Sequence, residues 1–138
     1  MEPLSYRRLE TFLCEKLRAL APGHQILPFS GGDSKGDAFE VEPPLCVIAV
    51  TKGEKTHQQE NTWICEGSLQ WITHMDEATP QEHEAAVRIL VANLQTIAGV
   101  QETYFTFHGL DIGDEKMSQS EDGRHRASIV NFTAGCSG

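Results

Sequence analysis

The sequence predicts an α+β fold: a mostly antiparallel sheet of about four to six strands with two main helices packed on it. Three observations lead there. Two segments carry apolar residues at helical spacing. Several others are continuously apolar or alternate with a period of two, as strands do. The order is helix, two to four strands, helix, two strands, and strand runs separated by single helices favour helices layered on one sheet.

The first helix spans 4–20. Leu9, Phe12, Leu13, Leu17 and Leu20 form one stripe, Arg7, Glu10, Glu15 and Arg18 face water, and Pro22-Gly23 ends it. A short strand follows at 25–29. The segment SGGDSKGDAFEVEPP, 30–44, is a Gly- and Asp-rich loop with a brief edge strand near 38–41. LCVIAV, 45–50, is apolar on both faces and so predicts a central strand covered on both sides. Residues 51–61 are a polar connection. TWICEGSLQWITHM then alternates over its whole length, with Trp63, Cys65, Leu69, Trp71 and Met75 on one face and Ile64, Glu66, Gln70 and His74 on the other.

The second helix announces its own start. Thr79-Pro80-Gln81-Glu82 supplies an N-cap, a proline at the first helical position and a capping-box glutamate. Val87, Leu90, Leu94 and Ile97 form its stripe, and Gly99 is placed to cap its end. Two strands complete the chain, 103–110 and 124–133, and AGCSG, 134–138, is a flexible tail. The whole, 1–138, is a single domain.

Composition narrows the function. With 138 residues, 39% hydrophobic and 22% charged, the chain is an ordinary globular domain. A net charge of −9 argues against direct nucleic-acid recognition, which needs a surplus of Lys and Arg. The longest apolar run, PPLCVIAV, is far short of a membrane span. Cys14, Cys46, Cys65 and Cys136 are scattered, so reduced thiols in an intracellular chain are expected, Cys46 and Cys65 being small core residues.

The chemical motifs fail in detail. SGGDSKGD places Lys35 before Gly36, whereas a phosphate loop needs Gly-Lys-Ser/Thr opening a helix. HEAAV lacks the second histidine of a zinc-protease helix, which leaves His83 on the solvent side. HMDEATPQEH gathers acids that the start of a helix already favours. His74, His108 and His125, on strands, can approach one another, but half-exposed strand histidines are the commoner outcome. No Gly-x-Ser-x-Gly occurs, and the acids of DIGDEKMSQSED do not have calcium-loop spacing. No enzyme, metal or cofactor is therefore expected.

That last stretch, 111–123, is predicted as the long polar tip of a hairpin projecting beyond the sheet. A loop longer than a turn requires favours contact with something else. Arg124 and Arg126, two apart, emerge on one face of the returning strand and offer charge-assisted contacts to an acidic neighbour, such as a further copy of the chain. A partner or oligomer interface is accordingly expected at Lys52, Lys55, Asp111, Asp114, Glu115, Lys116, Glu121, Asp122, Arg124 and Arg126.

In order of elements and apolar pattern, the chain resembles a known family. The opening helix, the PPLCVIAV strand, the long TWICEGSLQWITHM strand, the capped helix TPQEHEAAVRILVANLQTI and the final pair YFTFHGL and RHRASIVNF follow in sequence. Together they are similar to the tail terminator, or tail-completion, proteins of tailed bacteriophages and related prophage particles. The resemblance implies a ring, typically a hexamer, at the head-proximal end of the tail. Such a ring stops tail-tube polymerisation and joins the head connector, with the tail tube protein and the connector as partners. It acts by shape and charge without turnover, in the virion, after assembly in the bacterial cytoplasm. Segment 30–42 matches no feature of that family. The alternatives are another neck or minor capsid adaptor, an assembly chaperone, or a small cytosolic enzyme using histidine and carboxylates.

Overall fold

The computed structural model describes residues 6–29, 42–57, 62–102 and 105–137. Its elements are α1 (Tyr6–Leu20), β1 (Ile26–Pro28), β2 (Leu45–His57), β3 (Thr62–His74), α2 (Pro80–Gln95), β4 (Val100–Gln101), β5 (Thr106–Gln119) and β6 (His125–Ser137). One six-stranded sheet runs β1-β2-β3-β6-β5-β4, parallel between β1 and β2 and antiparallel elsewhere.

Period-two burial gives the sheet two unlike faces. Cys46 and Ile48 of β2 lie opposite Trp71 and Leu69 of β3, and Leu69 lies opposite Val130 of β6. These residues share one buried core with Leu9, Phe12, Leu13 and Leu17 of α1 and Val87, Leu90, Val91 and Leu94 of α2. Phe12 meets the Phe105 ring edge-on at 5.3 Å and lies 5.2 Å from Phe107. Each fully buried Leu or Phe contributes about 1.5–3 kcal/mol, so this core supplies most of the driving force. On the opposite face, Leu45 and Val47 are buried and pack with Leu27.

Gly67 is fixed by this packing. A Cβ there would strike the Ala49 carbonyl oxygen and come within 2.7 Å of the Phe132 ring, its cross-strand partner. The missing side chain is what leaves room for the Phe132 ring beside β3.

α2 begins as its sequence requires. Glu82 N–H donates to Thr79 Oγ1 (3.1 Å) and Thr79 N–H donates back to Glu82 Oε1 (3.0 Å). Its end differs from expectation. Thr96 is the C-cap, donating through backbone and hydroxyl to Asn93 O, while Gly99 (φ +65°) turns the chain into β4 and donates to His108 O.

Five further expectations are corrected. Glu10 does not face water: it is buried, and its Oε2 accepts the Val50 N–H at 2.7 Å, tying α1 to β2. Leu20 drops out of the apolar stripe, being 44% exposed. The polar connection expected from Thr51 is strand through His57, because β3 supplies a ladder as far as Thr62. β5 likewise continues through Gln119 against β6, so only Ser120–Arg124 form the turn. The tail is strand as well, with Ala134 and Cys136 buried in β6. The phosphate-loop-like segment and the brief edge strand, within 30–41, lie outside the described residues, as do 58–61 and 138.

Candidate functional site

β5 is the strand on which most of the predicted contact residues fall. β4 pairs with it only at Thr106 and Phe107. Beyond that point its inner edge runs along β6 to Gln119, and no other strand among the described residues pairs with its outer edge. Residues 113–124 are all exposed. Exposure explains their polarity: beyond Ile112 the strand has no core to fill, and its hydrogen-bond partner, not its own side chains, holds it extended.

The turn after β5 is built from its own side chains. Ser120 Oγ donates to Asp122 Oδ1 (2.5 Å), the Arg124 N–H donates to the same oxygen (3.0 Å), and the His125 N–H donates to Ser120 Oγ (3.0 Å). Those bonds hold the Asp122 carboxyl below the usual carboxylate range, the Ser120 hydroxyl contributing most. Gly123 takes φ +70° at the tip, a conformation that favours glycine.

The predicted residues separate into groups. Asp111 lies opposite Thr133, which lies opposite Glu66, which lies opposite Lys52. Lys52 and Asp111 therefore sit on one row across four strands, roughly 14 Å apart at the usual strand spacing. Lys55 lies in β2 opposite Trp63. Asp114 belongs to a bulge, where Gly113 and Asp114 together face Asn131. Lys116 faces Ile129, and Glu121, Asp122 and Arg124 lie in the turn. Glu115 points to the helix side and pairs with Arg88 of α2, which also holds Glu84.

Arg126 is a correction. It alternates to the side opposite that expected, is buried, and donates from Nη1 to the Ala78 carbonyl (3.3 Å). Arg124 and Arg126 thus form no exposed pair. The Arg88 contact was not read from the sequence, because nothing in an exposed helix position names a strand residue 27 positions away.

On the face away from the helices, Asp111 and Asp114 line a concavity of about 380 Å³ with Glu66, Thr51, Asn131 and Thr133. Two of the sheet's bulges border it: the one in β2 whose extra residue is Thr51, and the one in β5 at Gly113–Asp114. Among the described residues, no three His, Cys, Asp or Glu side chains are gathered to hold a metal ion.

The histidines divide. His74 and His125 are cross-strand partners with ring centroids 4.8 Å apart, and His74 Nε2 lies 3.2 Å from Glu42 Oε2. His108 is at the other end of the sheet, bonded to Ser137 Oγ at 2.9 Å. His83, expected to face solvent, is completely buried between Thr73 Oγ1 on Nδ1 and Ser128 Oγ on Nε2, both at 2.8 Å. Burial, then the charge of Arg126, lowers its pKa. A serine hydroxyl against an imidazole is the arrangement that activates a nucleophile. Here Ser128 is 0% exposed, so the pair is an anchor between α2 and the sheet.

The four cysteines are free and buried. Burial pushes the Cys14 thiol up to about 12 and raises Cys46 as well, which suppresses their thiolates. No helix among the described residues is long and apolar enough to cross a membrane.

No family model and no curated protein matches the chain. Among solved structures it is similar to a chain of the virion of a native gene transfer agent particle. The TM-score is 0.58 and the identity 16%, over 88% of this chain and 84% of that one. At that identity the likeness is one of fold.

Proposed function

We propose that the chain is a structural subunit of a phage-like virion. In this reading it forms a ring at the head-proximal end of a tail, where it ends tube polymerisation and presents the surface that the head connector joins. The observation that carries the reading is the fold shared with a gene transfer agent virion chain along nearly the whole of both chains. Two features support it. The exposed charges are spread along a strand edge and a built turn, a layout suited to contact and not to turnover. The serine–imidazole pair lies in the core, out of reach of any substrate. The partners are further copies of the chain, six being the number the family resemblance implies, together with tail tube protein and connector. Its place is the virion, after assembly in the bacterial cytoplasm.

Light scattering after size exclusion tests this, with the chain alone and with polymerising tail tube. A discrete ring that caps tubes and fixes their length supports the reading. A monomer that leaves tube growth unchanged overturns it. A ring that leaves tubes growing but binds connector would transfer the role to a neck adaptor.

A further inference from the structure

An uncovered sheet edge is a set of backbone donors and acceptors in need of partners, and most proteins keep such edges short, bulged or covered. β5 is bulged at Gly113–Asp114 and carries charges, but it is neither short nor covered. β4 ends at its second residue, leaving Gly109–Gln119 open on the outer side among the described residues. That is about twice the usual strand length of five to six residues. The His108 carbonyl, at the start of this stretch, is taken by Gly99 N–H.

Charge narrows what can dock there. The stretch carries Asp111, Asp114, Glu115 and Lys116, three carboxylates and one ammonium. Arg88 engages Glu115 on the helix side. Asp111 and Asp114 instead line the acidic concavity with Glu66 on the far face. With Glu115 engaged by Arg88, a second copy of β5 laid against the first would bring four further carboxylates, Asp111 and Asp114 of each copy, together with two lysines, on chains of net charge −9 each. An extended segment bearing lysine or arginine on alternate positions meets the opposite situation: its backbone continues the ladder, and its cations reach Asp111 and Asp114.

We propose that the outer edge of β5, from Gly109 to Gln119, is a docking edge for an extended, Lys/Arg-bearing segment of another virion subunit, which adds to the sheet as a further strand with its cations on Asp111 and Asp114. The proposal rests on the assembly reading only for the source of that segment.

The test uses the full chain and two labelled ten-residue peptides, one alternating lysine with valine and threonine, the other with glutamate in place of lysine. Binding is read by anisotropy and located by amide hydrogen exchange. The lysine peptide is expected to bind, to bind more weakly as salt rises, and to slow exchange along 109–119 while the glutamate peptide does not bind. The D111K/D114K variant is expected to lose at least tenfold in affinity. E15K/E77K, which changes net charge equally at exposed sites elsewhere, is expected to keep it, and thermal melts check that both variants fold. Binding without protection of β5, or equal loss in both variants, overturns the proposal as general attraction to an acidic surface. Protection of 109–119 in a closed oligomer of the chain alone assigns the edge to a second copy and overturns it too, while leaving the ring reading in place. Absence of any oligomer, with β5 still protected by the lysine peptide, retains the docking edge and removes the ring.

Discussion

The imidazole of His83 carries a hydroxyl on each ring nitrogen, one from β3 and one from β6, and this makes it a core residue despite a polar sequence neighbourhood. A hydroxyl can donate or accept, so the neutral ring is satisfied in either tautomer. H83A would strand Thr73 and Ser128 in a buried site, at a cost of about 2–4 kcal/mol measured by urea unfolding. The pH dependence has a definite sign. Since the folded imidazole has a lowered pKa, the unfolded chain takes up its proton first as pH falls below the ordinary 6.5. Stability is therefore fully present above that value and declines below it until the folded ring also protonates. H83Q is expected to flatten this decline relative to the native chain in unfolding curves taken across that window. Gly67 is as tightly specified: G67A forces a methyl into the Ala49 carbonyl and the Phe132 ring, and a loss of more than about 2 kcal/mol is expected in the same measurement. None of His83, Glu10 or Arg126 was legible as buried, because each is a polar side chain whose partners come from distant segments.

α2 and β5 stand at opposite ends of what local sequence can specify. The cap of α2 is written in four consecutive residues, and T79A is expected to cost about 1 kcal/mol in thermal or urea unfolding, since the N-cap hydroxyl bond lies wholly within that stretch. β5 carries no such local instruction beyond Leu110. Its polar residues look like loop, and they are strand because β6 holds a register from Ser137 back to Arg126. The same holds for β2 beyond Val50, which β3 keeps extended through two bulges. Arg88 links helix and edge strand through Glu115, but its side chain is 49% exposed. R88A should therefore change stability by under about 1 kcal/mol. A larger loss would mean that this contact, and not the β6 ladder, keeps the end of β5 in place.

For the molecule as a whole, net charge sets the terms of assembly. Identical copies at −9 repel, so formation of the proposed ring should increase as salt is raised from about 0.02 to 0.15 M, where screening shortens to about 8 Å. Docking of a basic strand should weaken over the same range. The two signs, followed by light scattering and anisotropy, separate self-assembly from strand addition. The α+β class, both helices and the alternating long strand were readable in the chain, because helical periodicity, a capping box and period-two burial are relations between residues a few positions apart. The strand order, the bulges, the length of β5, the burial of His83, Glu10 and Arg126, and the open edge were not. Each depends on which distant segment supplies a backbone or side-chain partner, and that choice is made only when the helices and the sheet close on one core.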